Sequence, residues 1–273
     1  MTRSLRRTRR SLQLAGAGAA ALMALSACSS SSDAKDTTSD TSNSASPKLS
    51  GNVTVFAAAS LKESFTTLGK EFEKQHPGTK VSFNFGGSDT LAASITGGAP
   101  ADVFAAASPK TMAIVTDKKD AVGTPATFVR NQLEIATLPG NPDKVSSLKD
   151  LTKSGLKVVL CDKTVPCGAA AQKALDAAKF KLTPVSYEQD VKAALNKVEL
   201  KEADAAVVYK TDVKSAAGKV EGVEFPESAK AINDYPIVLL KNAPNAQAAK
   251  AFIALVQSAE GQKALGEAGF LKP

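Results

Sequence analysis

The stretch Val53–Glu63, which reads VTVFAAASLKE, joins a β-branched run to the start of a helix. Val53–Ala58 is predicted to be a buried strand, because it is short, apolar and contains Val and Phe. Leu61–Gln75 is predicted to be a helix, since its apolar residues recur at helical spacing. Ser60 stands three residues before Glu63, which is the pattern of a capping box. This strand–turn–helix unit indicates an α/β fold.

The same alternation continues to the end of the chain. Further strands are predicted at Lys80–Phe85, Ala101–Ala106, Thr127–Leu138, Leu156–Cys161, Ala205–Tyr209, Val220–Phe225 and Pro236–Lys241. Further helices are predicted at Thr90–Thr96, Pro109–Thr116, Gly168–Ala178, Asp190–Val198 and Ala246–Gly266. The opening βαβαβα order predicts parallel strands with helices on the faces of the sheet. The whole pattern predicts two lobes, with chain crossings near residues 127–130 and 228–236. One lobe would hold residues 51–128 plus 234–273, and the other residues 129–233.

The first 50 residues carry signals for export and tethering. An arginine-rich start is followed by the apolar run Leu12–Leu25, which is too short for a transmembrane span and typical of a signal peptide. The run ends in Leu-Ser-Ala-Cys, the pattern at which bacterial lipoprotein signals are cleaved before the Cys is lipidated. We therefore expect residues 1–27 to be a lipoprotein signal peptide and Cys28 to be the lipidation site. The Ser-rich residues 28–50 are expected to form a flexible linker that tethers the protein to the outer face of the cell membrane.

The net charge of +7 belongs mostly to this leader. Residues 1–27 contain five of the 34 basic residues and no acidic residue, so the remainder has a net charge of +2. Nucleic-acid binding therefore loses its main support. A serine hydrolase would need His76, the single histidine, as its base. His76 lies before Pro77 at a predicted helix end, so we expect a surface role for it and no enzymatic activity.

Hydroxyl and backbone donors follow several predicted strands. Ser60 and Ser88 each stand where a strand passes into a helix, and a helix start with a hydroxyl group is an anion-binding arrangement. Either serine could instead only cap its helix. Segments 165–168 and 189–191 begin two more predicted helices. Tyr209 ends a strand and could donate from its phenol or be a core residue. The sequence thus offers several neutral donors for one anion.

The segment 53–61 looks very like the opening of the molybdate-binding proteins of ABC importers, the ModA type. Further stretches similar to that family follow in order at 98–104, 165–168, 190–191, 206–209, 235–236 and 269–270. Together they extend over nearly all of the predicted folded part. The resemblance implies a two-lobed periplasmic-binding-protein type II fold, in which each lobe is a mixed sheet flanked by helices. The ligand of this fold, one tetrahedral oxyanion, lies in the cleft between the lobes.

The same resemblance implies which residues bind the oxyanion. These are Ser60 and Ser88 through hydroxyl and backbone N–H, Cys167 and Val191 through backbone N–H, and Tyr209 through its hydroxyl. The ligand would be molybdate and, because it has the same charge and size, tungstate. The metal would enter only as this oxyanion, and no cofactor is implied. The protein would act as a monomer and deliver its ligand to the membrane permease of an ABC importer.

Two departures from the family pattern concern this site. The family often has Ala where Cys167 stands, but a backbone donor does not depend on its side chain. The family often has Ser or Gly near Asp89, and a carboxylate beside a dianion is unfavourable unless it points away. Asp102 also lies in a family block, and we expect a structural role for it.

Other solutes are less consistent with the composition. Sugars usually stack on aromatic side chains, which form 5% of this chain and include no Trp. An amino-acid binder would use an arginine for the carboxylate, and only Arg130 lies beyond the leader. Sulfate and ferric iron remain alternatives. Ferric iron would need tyrosine ligands, and the three tyrosines, Tyr187, Tyr209 and Tyr235, are scattered along the sequence.

Cys161 and Cys167 remain once Cys28 is assigned to lipidation. An even number of cysteines in an exported protein favours a disulfide. The C-x5-C spacing is not that of redox-active pairs, so thiol exchange is not expected. We expect the bridge to stiffen the loop that presents the Cys167 N–H. Two free thiols are the alternative.

Overall fold

The computed structural model describes residues 48–273. The predicted signal peptide, the lipidation site Cys28 and the linker up to residue 47 lie outside the described residues. Within residues 48–273, no helix combines the length and the apolar character that a membrane crossing requires.

Ten strands form two five-stranded sheets in this part of the chain. The strands are β1 Gly51–Ala58, β2 Thr79–Gly86, β3 Val103–Ala105, β4 Ala121–Asn131, β5 Leu133–Thr137, β6 Val158–Cys161, β7 Ser186–Glu188, β8 Ala205–Tyr209, β9 Glu221–Val223 and β10 Asn233–Leu240. The first sheet has the order β2-β1-β3-β10-β4 and the second the order β7-β6-β8-β5-β9. In both sheets three parallel strands are extended by antiparallel pairing, through β10 and β4 in the first and β5 and β9 in the second.

Helices flank both sheets. They are α1 Lys62–Gln75, α2 Ser88–Thr96, α3 Pro109–Asp117, α4 Pro166–Ala178, α5 Val191–Glu199, α6 Lys210–Ser215, α7 Ala246–Gln257 and α8 Ala259–Glu267. We call the first sheet with α1–α3, α7 and α8 lobe 1, and the second sheet with α4–α6 lobe 2. The predicted α/β class with two mixed sheets is confirmed.

The two lobes have different cores. In lobe 1, Phe252 of α7 packs edge-on against Phe65 and Phe72 of α1, with ring centroids 5.9 and 5.6 Å apart. In lobe 2 the buried helix faces are rich in alanine, for example Ala170 and Ala174 of α4. Small side chains allow a helix to lie close to its sheet.

The prediction of one long strand over Thr127–Leu138 was wrong. The structure divides this segment into β4 of lobe 1 and β5 of lobe 2, with Gln132 between them. The Gln132 N–H donates to the side chain of Asn131, 3.0 Å away, so the polar pair turns the chain out of one sheet and into the other. An apolar period of two residues shows that strands are present, but it does not show which sheet they join.

Two short elements, β7 and α6, were not predicted from the sequence. With only three and six residues, they are too short for a clear periodic pattern. They matter because β7 leads into α5, and α6 follows directly after β8. Strands β1, β2, β6 and β7 are each followed within five residues by a helical segment, and these helix starts face the cleft between the lobes.

Candidate functional site

One small cavity between the lobes is lined by all five residues that the sequence analysis proposed as donors. Ser60 and Ser88 line it from lobe 1, and Cys167, Val191 and Tyr209 from lobe 2. The volume of the cavity is only about 10 Å³. It therefore suits a single small ion rather than a sugar or a peptide.

Ser60 lies in a short 3₁₀ turn, Ala59–Leu61, between β1 and α1. Its side chain is buried, and its Oγ is 2.8 Å from the hydroxyl of Tyr235. The Tyr235 hydroxyl also accepts a long hydrogen bond, 3.4 Å, from the side-chain amide of Asn131. When Tyr235 donates to Ser60 in this chain of bonds, the serine proton is free to point into the cavity.

Ser88 is the first residue of α2 and is almost fully buried. Its Oγ accepts a hydrogen bond of 3.0 Å from the backbone N–H of Ala107. Because the oxygen is engaged as an acceptor, the hydroxyl proton remains available as a donor to the cavity. Ser88 therefore does not cap its own helix through its side chain, and the alternative that it serves only as a cap was wrong.

The starts of α4 and α5 supply backbone donors from lobe 2. In α4, Pro166 occupies the first position and has no N–H, so Cys167 carries the first N–H of the helix. In α5, Asp190 accepts the N–H groups of Lys192 and Ala193, at 2.8 and 3.0 Å. The N–H of Val191, between the cap and those groups, accordingly remains free for the cavity. Within residues 48–273, no acceptor is bonded to the N–H of Cys167 or Val191.

Tyr209 ends β8 and begins α6, so its phenol reaches the cavity from a rigid junction. The Tyr209 hydroxyl accepts a hydrogen bond of 2.7 Å from the side-chain amide of Asn233. Because this oxygen accepts from Asn233, its proton can be donated, either into the cavity or to the neighbouring Tyr235. Burial, with the nearby Tyr235 and Asp212, raises the pKa of Tyr209 well above its ordinary value. The phenol therefore stays neutral and is a donor.

The five proposed donors are all neutral groups, either hydroxyl groups or backbone N–H groups. Each of the three hydroxyl oxygens is in contact with a protein donor or hydroxyl, and two helix starts add backbone N–H groups. Helix N-termini carry partial positive charge, which favours an anion between them. This arrangement can desolvate and bind an anion with several accepting oxygens, without a positively charged side chain in the lining.

The two lobes touch each other at the rim of this cavity. A Cβ atom placed on Gly87 of lobe 1 would lie 2.6 Å from the backbone carbonyl oxygen of Gln189 and 3.0 Å from the side-chain Cγ1 of Val165, both in lobe 2. Such distances mean that the two backbones are in close contact. The structure is therefore a closed form of the cleft.

Three other residues singled out in the sequence lie outside the cavity lining. Asp89 is not among the lining residues, but its Oδ1, which is buried without a hydrogen-bond partner among the described residues, would lie 2.8 Å from a Cβ placed on the lining residue Gly87. Asp102 is buried and accepts the N–H groups of Thr54 and Asn245. His76 lies at the far end of α1 from Ser60, about 20 Å away at 1.5 Å per residue. The ring of His76 packs on Phe72 instead, so neither serine has a histidine base from this position.

Several supporting residues were not assigned to the site from the sequence. They are Asn131 and Asn233, which hold the tyrosine hydroxyls, and Asp212, whose carboxylate accepts the N–H of Tyr209. Asp212 is fully buried, and this burial, although opposed by the Lys192 ammonium, raises its pKa to about 6. A polar residue at the end of an apolar strand was the available signal. Asn131 and Asn233 occupy such positions, whereas Asp212 is the third residue of α6.

The predicted disulfide between Cys161 and Cys167 is present and joins the end of β6 to the start of α4. The loop it closes is held tightly, because a Cβ on Gly168 would lie 2.0 Å from the carbonyl oxygen of Asp162. Glycine at 168 thus lets the helix start lie directly on the loop. Bridge and glycine together fix the direction of the Cys167 N–H.

Replacing both Cys161 and Cys167 by alanine is expected to lower the free energy of unfolding by about 2–3 kcal/mol, because a short loop loses its covalent closure in the unfolded chain. Urea unfolding of the exported protein, with and without reductant, measures this. The reductant should reproduce the effect in the wild-type protein and leave the variant unchanged. Two titratable thiols in the native wild-type protein would contradict the assignment.

Comparison with known proteins agrees with this fold. A family model described as bacterial extracellular solute-binding protein matches residues 53–271. The molybdate-binding protein ModA of Mycobacterium tuberculosis is 42% identical over 222 residues, which cover 81% of this chain and 85% of that protein. Among solved structures, the substrate-binding domain of a putative molybdenum ABC transporter from Clostridium difficile is 32% identical. Its TM-score is 0.61, with 82% of this chain and 100% of that chain covered.

A second solved structure, the periplasmic molybdate-binding protein of Azotobacter vinelandii, has a TM-score of 0.70 at 22% identity. It covers 81% of this chain and 99% of its own chain, and it shows the fold. The family model and the M. tuberculosis relative both span most of the described residues. The chain therefore belongs to the bacterial extracellular solute-binding proteins.

Proposed function

We propose that this protein captures molybdate outside the cytoplasm and delivers it to the permease of an ABC importer. The observation that carries this proposal is the convergence of neutral donors on one small cavity between two closed lobes. Ser60, Ser88 and Tyr209 would donate from hydroxyl groups, and Cys167 and Val191 from the backbone. The serine N–H groups complete the set. Four oxygens of a tetrahedral dianion can accept all of these bonds.

The energetics are sufficient for tight binding. Hydrogen bonds to a charged group contribute about 1.5–3 kcal/mol each, so several of them exceed the cost of association and closure. A micromolar dissociation constant needs only about −8 kcal/mol. Tungstate has the same charge and nearly the same size as molybdate, so the same donors would bind it. The names of the relatives add support for molybdate.

Sulfate is the first alternative, because it is also a tetrahedral dianion that accepts hydrogen bonds and donates none. It is smaller, so fixed donors would reach it less well. Ferric iron is less consistent with the site. Burial raises the pKa of both Tyr209 and Tyr235, which keeps the phenols neutral, whereas iron binding favours phenolate. A cation needs acceptors, but the one carboxylate residue in the lining, Asp190, already accepts the N–H groups of Lys192 and Ala193. We therefore propose a carrier of anions without catalytic activity.

The leader belongs to the same proposal. Residues 1–27 would direct export, Cys28 would carry the lipid and residues 28–50 would tether the folded lobes to the outer face of the membrane. Residues 51–128 plus 234–273 and residues 129–233 would move as the two lobes of a monomer. Such a carrier remains near its permease while its cleft opens and closes.

A titration of the exported protein tests the function. Ligand that binds only the folded state raises its stability by RT ln(1 + [L]/Kd), which is about 4 kcal/mol at a thousandfold excess over Kd. We expect molybdate and tungstate to raise the unfolding temperature strongly. Sulfate, phosphate and Fe(III) at equal concentration should raise it much less. An equal response to sulfate and molybdate would refute the assignment.

A further inference from the structure

The ammonium group of Lys192 joins the two lobes beside the cavity. Lys192 follows the proposed donor Val191 in α5 of lobe 2, and its Nζ is 2.9 Å from a carboxylate oxygen of Glu63 in lobe 1. On its own lobe, the same Nζ lies 3.1 Å from Asp212 and donates to Ser215 Oγ at 2.8 Å. Burial disfavours this ammonium, but the two carboxylates more than offset that effect and raise the pKa of Lys192. It is therefore charged.

The two carboxylates that contact Lys192 have different surroundings. Asp212 is completely buried in lobe 2, whereas the Glu63 side chain is 48% exposed on the surface of lobe 1. Asp212 and Ser215 therefore fix the ammonium within its own lobe whether or not the cleft is closed. The contact with Glu63 exists only while α1 and α5 lie together, because a separation of a few ångströms breaks it.

This arrangement differs from an ordinary surface ion pair. Most exposed pairs contribute little, partly because two long side chains must be immobilised. Here the lysine is already held by lobe 2 and is only 20% exposed, so closure needs to order Glu63 alone. We propose that the Glu63–Lys192 ion pair is a closure latch, which stabilises the ligand-bound form and slows release of the anion. This inference rests on the proposed function.

The test is Glu63→Gln, which keeps the shape of the side chain and removes its charge. The latch predicts that molybdate binds about 3- to 10-fold more weakly, mostly through faster dissociation. The effect should shrink as salt is raised, since the pair is partly exposed. Ligand-free stability should change only slightly, because within lobe 1 Glu63 contributes only through its place in the first turn of α1. Calorimetry, stopped-flow dissociation and urea unfolding give these quantities.

Glu71→Gln is the matched control, because Glu71 lies in the same helix and pairs with Lys74 inside lobe 1. Both variants remove one negative charge from α1, and this charge loss alone would strengthen binding of a dianion. The latch predicts instead that binding becomes weaker, and only in Glu63→Gln. Binding by Glu63→Gln as tight as by Glu71→Gln would overturn the latch. Absence of any molybdate response in the wild-type protein would instead overturn the proposed function.

Discussion

Replacement of Ser88 by alanine is expected to weaken molybdate binding about 10- to 150-fold, while the protein remains folded. The substitution removes one charge-assisted hydrogen bond of about 1.5–3 kcal/mol. The reason for choosing Ser88 is that its oxygen already accepts the Ala107 N–H, which leaves the proton for the ligand. Calorimetric titration of the wild-type protein and the variant measures the difference.

Ser94→Ala is the control for this experiment. Ser94 lies in the same helix, and its hydroxyl donates to the carbonyl group of Thr90 rather than into the cavity. We expect wild-type affinity for it. Ser60→Ala should behave like Ser88→Ala, because its hydroxyl is supported in a comparable way by Tyr235. Unchanged affinity in both Ser60→Ala and Ser88→Ala would remove the proposed site.

Asp102→Ala is expected to lower the free energy of unfolding by about 3–5 kcal/mol. The buried carboxylate accepts the N–H of Thr54 in β1 at 2.8 Å and the N–H of Asn245, before α7, at 2.6 Å. Removal leaves two partly buried N–H groups without their partner, at up to about 1–3 kcal/mol each, and opens space where the buried carboxylate stood. The midpoint of urea unfolding should fall accordingly.

Asp117→Ala, at the exposed end of α3, provides the comparison. It removes the same carboxylate from the surface and should change stability by less than about 0.5 kcal/mol. Molybdate affinity of the folded fraction should be near wild type in both variants, because Asp102 supports lobe 1 away from the cavity lining. A stability loss as small as that of Asp117→Ala would show that Asp102 does not have this structural role.

Much of the fold could be predicted from local pattern. The apolar run before Ser60 and the helical spacing after it identify β1 and α1 within a few residues. The glycines before Ser88 likewise mark the end of β2 and the start of α2. These signals are local, because a strand end and a helix start follow from the properties of neighbouring residues. The proposed donors were found for the same reason, together with the family resemblance.

The support of the site could not be predicted in this way. Ser60 and Tyr235 are 175 residues apart in the sequence, and Glu63 and Lys192 are in different lobes. Nothing local distinguishes Tyr235 from a core tyrosine until the path of the chain is known. The division between β4 and β5 was missed for a related reason, since both strands have the same apolar period. Contacts between distant segments can be predicted only after the topology is known.

The strand order has a consequence for when each donor meets its ligand. If the cleft opens by a turn of the lobes about the two chain crossings, which β10 and β5 flank, the strand spacing of about 4.8 Å sets how far each donor travels. Tyr209 ends β8, one strand from β5, and would therefore move little. Ser88 follows β2 and Val191 follows β7, each about 14 Å and three strands away. The phenol end of the cavity would then stay assembled to receive an arriving ion, and the edge-strand donors would engage last and leave first.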